Sequence, residues 1–157
     1  MTTMHWLSFN ELSREDLYEI LRVRQEVFTV EQNCAYQDAD GLDQCAWHLL
    51  CRQPDQAGQR LVGYLRVLPP ASRFREPSIG RLLTISAVRR TGLARIIMLE
   101  ALAWIAVLYP GLPVCISAQH YLEHFYNSLG FYANSDIHDE DGIPHRHMLH
   151  PPLPVIP

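Results

Sequence analysis

The stretch "SAVRRTGLARII", Ser86 to Ile97, decides how the rest of the chain is read. The apolar run "LLTI" ends just before it, and the longer run "IIMLEALAWIAVL" overlaps its end. A strand therefore gives way to a helix across residues that are small or positively charged. The first N–H groups of a helix have no intrahelical acceptor and carry the positive end of the helix dipole. A phosphate fits there. Gly92 and Ala94 keep side chains out of the approach, and Arg89, Arg90 and Arg95 offer further donors to phosphate oxygens. The segment reads as a diphosphate cradle. It has neither the Gly-x-x-x-x-Gly-Lys-Ser/Thr spacing of a P-loop nor the Gly-x-Gly-x-x-Gly of a dinucleotide fold.

Working outward, Gly92–Leu108 is apolar nearly all round, which predicts a helix buried against a sheet and stopped by "YPGLP". Upstream, "AWHLLCR" and "LVGYLRVL" are β-rich runs separated by the turn-forming "QPDQAGQ", an antiparallel hairpin. "PPASRFREP" is a loop and "SIGRLLTIS" the strand that feeds the cradle. At the start, "MHWLSF" alternates as a short strand. Ser13 with Asp16 three residues on is a capping box that opens a helix. On that helix Leu17, Ile20, Leu21, Val27 and Phe28 share a face with Arg24, which must find an anion or a carbonyl if it is buried. Downstream, "VCISA" is a buried strand and "HYLEHFYNSLG" an amphipathic helix closed by Gly130. "FYANSDI" and "HRHML" are the last strands around the acidic turn "HDEDGIP", and the Pro-rich end, about 150–157, is an extended tail. The order β-α-β-β-β-α-β-α-β-β predicts a mixed α/β sheet in one domain over residues 1–157.

Composition narrows the function. The 157 residues are 48% hydrophobic and 19% charged, enough for a sizeable core, and the formal net charge of −4 supplies no basic field for nucleic acid. No apolar run approaches the ~18 residues of a membrane span. The N-terminus lacks a basic segment followed by a long apolar one, so no secretory signal and a cytoplasmic location are expected. The four cysteines, Cys34, Cys45, Cys51 and Cys115, form no C-x-x-C pair and are expected as reduced thiols.

Arg89-x-x-Gly92-x-Ala94 after "LLTI" fits the pattern Arg/Gln-x-x-Gly-x-Gly/Ala, and "FYNSLGF" carries Tyr126-x-x-x-Gly130-Phe131 on the next helix, with "VCISA" between them. This pair of motifs resembles the coenzyme-A-binding segments of the GCN5-related N-acetyltransferases, the GNAT family. The run "LRVRQEVFTVEQNCAYQDADGLD", residues 21–43, with "EDGIPH" at 140–145, resembles the ElaA-type branch of that family. The likeness spans about residues 6–149. It implies a GNAT-like mixed, mostly antiparallel sheet of six to seven strands with helices on both faces. A dimer is common in that family; the sequence leaves the oligomeric state open.

The resemblance also implies a chemistry: an acetyl group passes from acetyl-CoA to a primary amine. It places the pantetheine along Leu83, Thr84 and Ile85, the diphosphate on the N–H groups of Arg90, Thr91, Gly92, Leu93, Ala94 and Arg95, and Tyr126 where it protonates the departing thiolate. Arg90 stands where Gly is common, and Gln119 where many members carry Asn. An N–H at the strand end near Ile85 is the candidate donor to the thioester oxygen. An alkylammonium of pKa ~10.4 is neutral to only about 0.04% at pH 7, so a base is needed. Glu31, Asp38, Asp40, His48 and His145 are the candidates, with Glu31 first and His145 second. Arg24, Phe28, Glu31, Asp38, Asp40, His48 and Arg81 are the candidate acceptor-binding residues, and the acidic segments "YQDADGLD" and "HDEDG" suggest a cationic acceptor. The other reading of the same cradle is a non-catalytic acyl-CoA sensor. No metal is expected: in "DADGLD" Gly41 sits at the fourth position rather than the sixth of a calcium loop. The shared face of His145 and His147 has no cysteine or His-Glu-x-x-His partner, and a polar strand face accounts for it.

Overall fold

A computed structural model of the protein describes residues 1–154. The strands are β1 (Thr3–Ser8), β2 (Trp47–Asp55), β3 (Gly58–Leu68), β4 (Ser78–Thr84), β5 (Val114–Gln119), β6 (Tyr132–Ala133), β7 (His138–Glu140) and β8 (Ile143–His150). The helices are α1 (Arg14–Arg24), α2 (Leu93–Leu108) and α3 (Glu123–Asn127). Strand neighbours run β1-β2-β3-β4-β5-β8-β6, with β7 also on β8, giving eight strands where six to seven are expected. β1–β2, β5–β8, β6–β8 and β7–β8 are antiparallel, while β4–β5 is parallel, with Ser78 opposite Cys115. The chain folds as two compact units. The first comprises Met1–Arg66 and Arg81–Ile97, the second Val67–Gly80 and the chain from Met98 on.

In the first unit, Ser13 accepts from the Asp16 N–H at 3.0 Å while Asp16 accepts from the Ser13 N–H at 3.1 Å, the expected capping box. α1 buries Ile20, Val23 and Arg24 and then widens into a π-helical turn, Gln25–Glu31, which buries Val27. The hairpin strands are longer than the sequence predicts, and β3 is buried on both faces from Leu61. Gly63 on β3 admits α2: a Cβ there would lie 2.6 Å from Ile97 Cδ1. α2 is buried along Leu93, Ile97, Met98, Ala101, Leu102 and Ile105, whereas Ile96, Leu99 and Val107 are exposed, so it is amphipathic rather than buried all round.

In the second unit, β5 and β8 pair from Val114–His150 through Gln119–His145. The stretch expected as one amphipathic helix is a 3-10 turn, His120–Leu122, followed by the short α3. It ends as expected at Gly130, with φ +99° and the Phe131 N–H donating to the Tyr126 carbonyl at 3.1 Å. The "HDEDGIP" segment is a β7–β8 hairpin rather than a bare turn, with Asp141 and Gly142 at its tip in the left-handed region. The first residues of the Pro-rich tail, 151–154, have no regular structure; the remainder of the expected tail lies outside the described residues. No disulfide joins the four cysteines, and among the described residues no helix is long and apolar enough to cross a membrane.

Candidate active site

β4 carries Leu83 and Thr84 into the cradle, and Ile85 follows directly. Leu83 and Ile85 are buried and Thr84 is half-buried. The Ile85 N–H donates to the Val62 carbonyl at 3.0 Å. It belongs to the sheet, so the expectation that it stabilises a thioester oxygen is corrected. A 3-10 turn, Ser86–Val88, follows, and Thr91 Oγ1 donates to the Val88 carbonyl at 2.7 Å. Arg90 and Gly92 both have left-handed backbone, φ +64° and φ +84°. The glycine serves this geometry rather than space, since a Cβ at Gly92 would meet nothing within 4 Å. α2 then begins at Leu93, and the Ile96 N–H donates to the Gly92 carbonyl at 3.2 Å. The amides of Leu93 and Ala94 lie in the first turn, where a helix offers no carbonyl. Thr91, Gly92 and Arg95 are exposed at the same junction.

Arg89 does not reach into this turn. Its Nε donates to the Thr84 carbonyl at 3.1 Å and its Nη2 to Glu31 Oε2 at 2.6 Å. Glu31, the first-ranked base, is thus ion-paired with Arg89. Its neighbour Phe28, one turn back, is half-buried.

The remaining acceptor-binding candidates of the first unit join one polar network that runs from buried Arg24 and His48 to exposed Asp40. Arg24 Nε donates to Asp38 Oδ2 at 2.8 Å and Nη1 to Asp43 Oδ1 at 2.7 Å. Arg66 Nη1 donates to Asp40 Oδ1 and to Asp43 Oδ1, both at 2.8 Å, and its Nη2 pairs with Asp40 Oδ2. Arg81, left-handed at φ +57° within β4, donates from Nε to Asp38 Oδ1 at 2.7 Å and from Nη2 to Asp40 Oδ2 at 3.3 Å. His48 Nε2 donates to the Asp43 carbonyl at 2.9 Å, so its Nδ1 accepts from the Tyr64 hydroxyl at 2.7 Å. Burial lowers the His48 pKa, and the ring is neutral. Burial alone would raise Asp43, but hydrogen bonds and charge from Arg24 and Arg66 hold it below the usual carboxylate range. Asp40 is likewise raised by burial and lowered further by Arg66.

Burial corrects two of the acceptor-binding assignments. Arg24 and His48 are 0% exposed and cannot touch an acceptor. Asp38, Asp40 and Arg81 are ion-paired with one another and with Arg24 and Arg66, which offsets the negative charge of "YQDADGLD".

In the second unit, Tyr126 of α3 packs its ring edge-on against Phe125 at 5.1 Å and Phe131 at 6.0 Å. Burial, with a smaller contribution from Tyr121, pushes its phenol up to about 12. Gln119 ends β5 directly opposite His145 on β8. His145 Nδ1 donates to the Ile143 carbonyl at 2.7 Å, and its Nε2 lies 3.4 Å from Glu140 Oε2. Glu140 accepts from Ser117 Oγ at 2.6 Å. Burial pushes it up, but Ser117, His145, Arg73 and His138 together hold it below an ordinary glutamate. Sequence reasoning missed Glu140 and Asp43; the available signals were the acidic turn and a third aspartate spaced for two arginines.

A family model described as an acetyltransferase (GNAT) domain matches residues 49–150. The chain belongs to the GNAT family. Within GNAT it is of the ElaA type: it is 38% identical to Protein ElaA of Escherichia coli over 141 residues, 88% of this chain and 90% of that one. A UPF0039 protein of Synechocystis is 45% identical over 144 residues, 92% of each chain. Among solved structures, an acyl-CoA N-acyltransferase from Pseudomonas aeruginosa superposes with TM-score 0.88 at 36% identity, covering 96% of this chain and 99% of that one. The crystal structure of E. coli ElaA superposes with TM-score 0.87, also at 36% identity, covering 96% and 99%. The GNAT fold and domain make this chain an acyltransferase, in a family that uses an acyl-CoA as cosubstrate. The expected GNAT sheet, mixed and mostly antiparallel, is the one observed.

Proposed function

We propose that this GNAT enzyme moves an acetyl group from acetyl-CoA to a primary amine by direct attack, with no acyl-enzyme intermediate. The observation that carries the reading is the strand–turn–helix of Leu83–Arg95, in which left-handed backbone at Arg90 and Gly92 leads into the first-turn amides of α2. Those amides and the exposed Arg90 and Arg95 would hold the diphosphate. Arg89 would join them only by leaving Glu31.

The neutral amine attacks the thioester carbonyl; the C–N bond forms, the C–S bond breaks, and the nitrogen's proton leaves. His145 is favoured over Glu31 as the acceptor of that proton, because Glu31 is held by Arg89 at 2.6 Å whereas the His145 Nε2 lies 3.4 Å from Glu140 Oε2. Tyr126 donates a hydrogen bond to the thiolate. A phenol at about 12 against a thiol near 8.5 leaves full transfer uphill by roughly 5 kcal/mol. The phenol therefore acts as a bonding donor while the sulfur takes its proton through solvent.

The test is release of free coenzyme A thiol from acetyl-CoA in the presence of a panel of primary amines. Amine-dependent release with an N-acetylated product supports the reading. Binding of acetyl-CoA with no turnover across a broad panel would favour the sensor instead.

A further inference from the structure

We propose that His138, Glu140 and His147 form a binding site for a divalent transition-metal ion. The register makes the cluster. Side chains two apart on a strand share a face, so His138 goes with Glu140 on β7 and His145 with His147 on β8. His138 pairs directly with His145 across the ladder, which places all four on one face. One ligand atom each from His138, Glu140 and His147 lies within 4.8 Å of the others. Tetrahedral zinc needs such atoms about 3.4 Å apart, so the three side chains must close in on the ion by rotation. The sequence places only His145 and His147 on one face, with no cysteine or His-Glu-x-x-His partner; β7 is what brings His138 and Glu140 to His147.

The donors are prepared for the role. His138 Nδ1 donates to the Asp136 carbonyl at 3.2 Å, which turns Nε2 toward Glu140 Oε1, 3.6 Å away, the usual arrangement of a metal-bound imidazole having its other nitrogen on a carbonyl. The His147 ring lies 4.6 Å from that of His138 and stands edge-on to Phe74, 5.0 Å away. Ser117 orients the Glu140 carboxylate at 2.6 Å. Two imidazoles and a carboxylate are the ligand set of open zinc sites, with a position left for water. Nitrogen donors favour zinc, nickel or copper over magnesium or calcium. The cation opposing this is Arg73, whose Nη2 lies 3.3 Å from Glu140 Oε1. It stands on the 69–77 loop and is partly exposed, so an arriving ion can displace it. The proposal does not rest on the acetyl-transfer reading, although a bound ion would compete with His145 for Glu140.

The test uses the full chain without an affinity tag, stripped with chelator, then titrated with Zn2+ by calorimetry and with Co2+ by visible absorbance. One saturable equivalent is expected, with a Co2+ spectrum of nitrogen and oxygen ligation. His138→Ala and His147→Ala should each weaken Zn2+ binding about tenfold or more. If neither ion binds saturably, or both variants titrate as the parent, the site is refuted. Should either variant melt early, Arg73→Ala decides: affinity rises if Arg73 and the ion share Glu140, and an unchanged affinity overturns the assignment.

Discussion

Asp43 Oδ1 takes hydrogen bonds from two arginines at once, and with one of them, Arg24 Nη1, it is 2.7 Å apart inside the protein. Each guanidinium is tolerable there only because carboxylates meet it; a buried charge without its partner costs several kcal/mol. Asp43→Asn keeps the shape and removes the charge from between Arg24 and Arg66. It should lower unfolding free energy by about 3 kcal/mol, read from urea midpoints at constant m. An unchanged midpoint would show that Asp38 and Asp40 suffice.

The same network sets an acid limit. Asp40 and Asp43 sit below the usual carboxylate range when folded, so the unfolded chain binds more protons than the native one as pH falls. Their contribution is complete above the unfolded value of about 3.9 and is lost as pH drops through the lower folded values. Urea midpoints should be flat from neutrality to about pH 5 and fall steeply below pH 4. Asp43→Asn should show a shallower fall. An identical slope in that variant would assign the acid limit to other carboxylates.

Gly92 tests the cradle without crowding it. Its φ of +84° suits glycine, while a Cβ would meet open space. Gly92→Ala should cost about 1 kcal/mol in the left-handed backbone, relieved if the turn relaxes. If the turn holds the diphosphate, that relaxation raises KM for acetyl-CoA several-fold with kcat little changed. A KM equal to the parent's would place the diphosphate elsewhere.

The proposed proton acceptor can be tested apart from the proposed cosubstrate site. His145→Gln keeps a polar side chain opposite Gln119 but cannot hold the amine's proton. We expect kcat to fall by about 100-fold with KM for acetyl-CoA nearly unchanged. Glu31→Gln, which breaks the pair with Arg89, should lower kcat far less. The reverse ranking would restore Glu31 as the base.

The fold was legible where one residue type has one job. Ser13 and Asp16 announced the start of α1, "LLTI" to Gly92 announced the β4–α2 junction, and Gly130 announced the end of the helical stretch before β6. Arg24, on an apolar face, correctly demanded an anion. Its partners were hidden because Asp38 and Asp43 lie 14 and 19 residues away in an irregular segment with no period to read. Asp38 and Asp40 were read as facing an acceptor for the same reason: sequence shows charge but not who neutralises it. Glu140 and His138 were lost in a segment whose Asp-Glu-Asp-Gly composition reads as turn, although its first three residues pair with β8.

Tyr126 permits the sharpest test of the chemistry. Its ring is held between Phe125 and Phe131, and among the described residues no side chain hydrogen-bonds its hydroxyl. Tyr126→Phe therefore removes an oxygen and leaves the packing intact, so the melting temperature should stay within a few degrees of the parent. A phenol at about 12 is fully protonated across the working range, and its loss should not alter the shape of the pH–rate profile below pH 9. What should fall is the rate, because a thiolate leaves faster with a donor beside it. Thiolate is already a fair leaving group, so kcat/KM should drop by about tenfold rather than vanish, at the low end of what a positioned acid contributes. The deficit should shrink when the acyl donor carries a more acidic thiol, which needs the bond less. A Tyr126→Phe variant with parental kcat/KM on acetyl-CoA would remove the tyrosine from the mechanism.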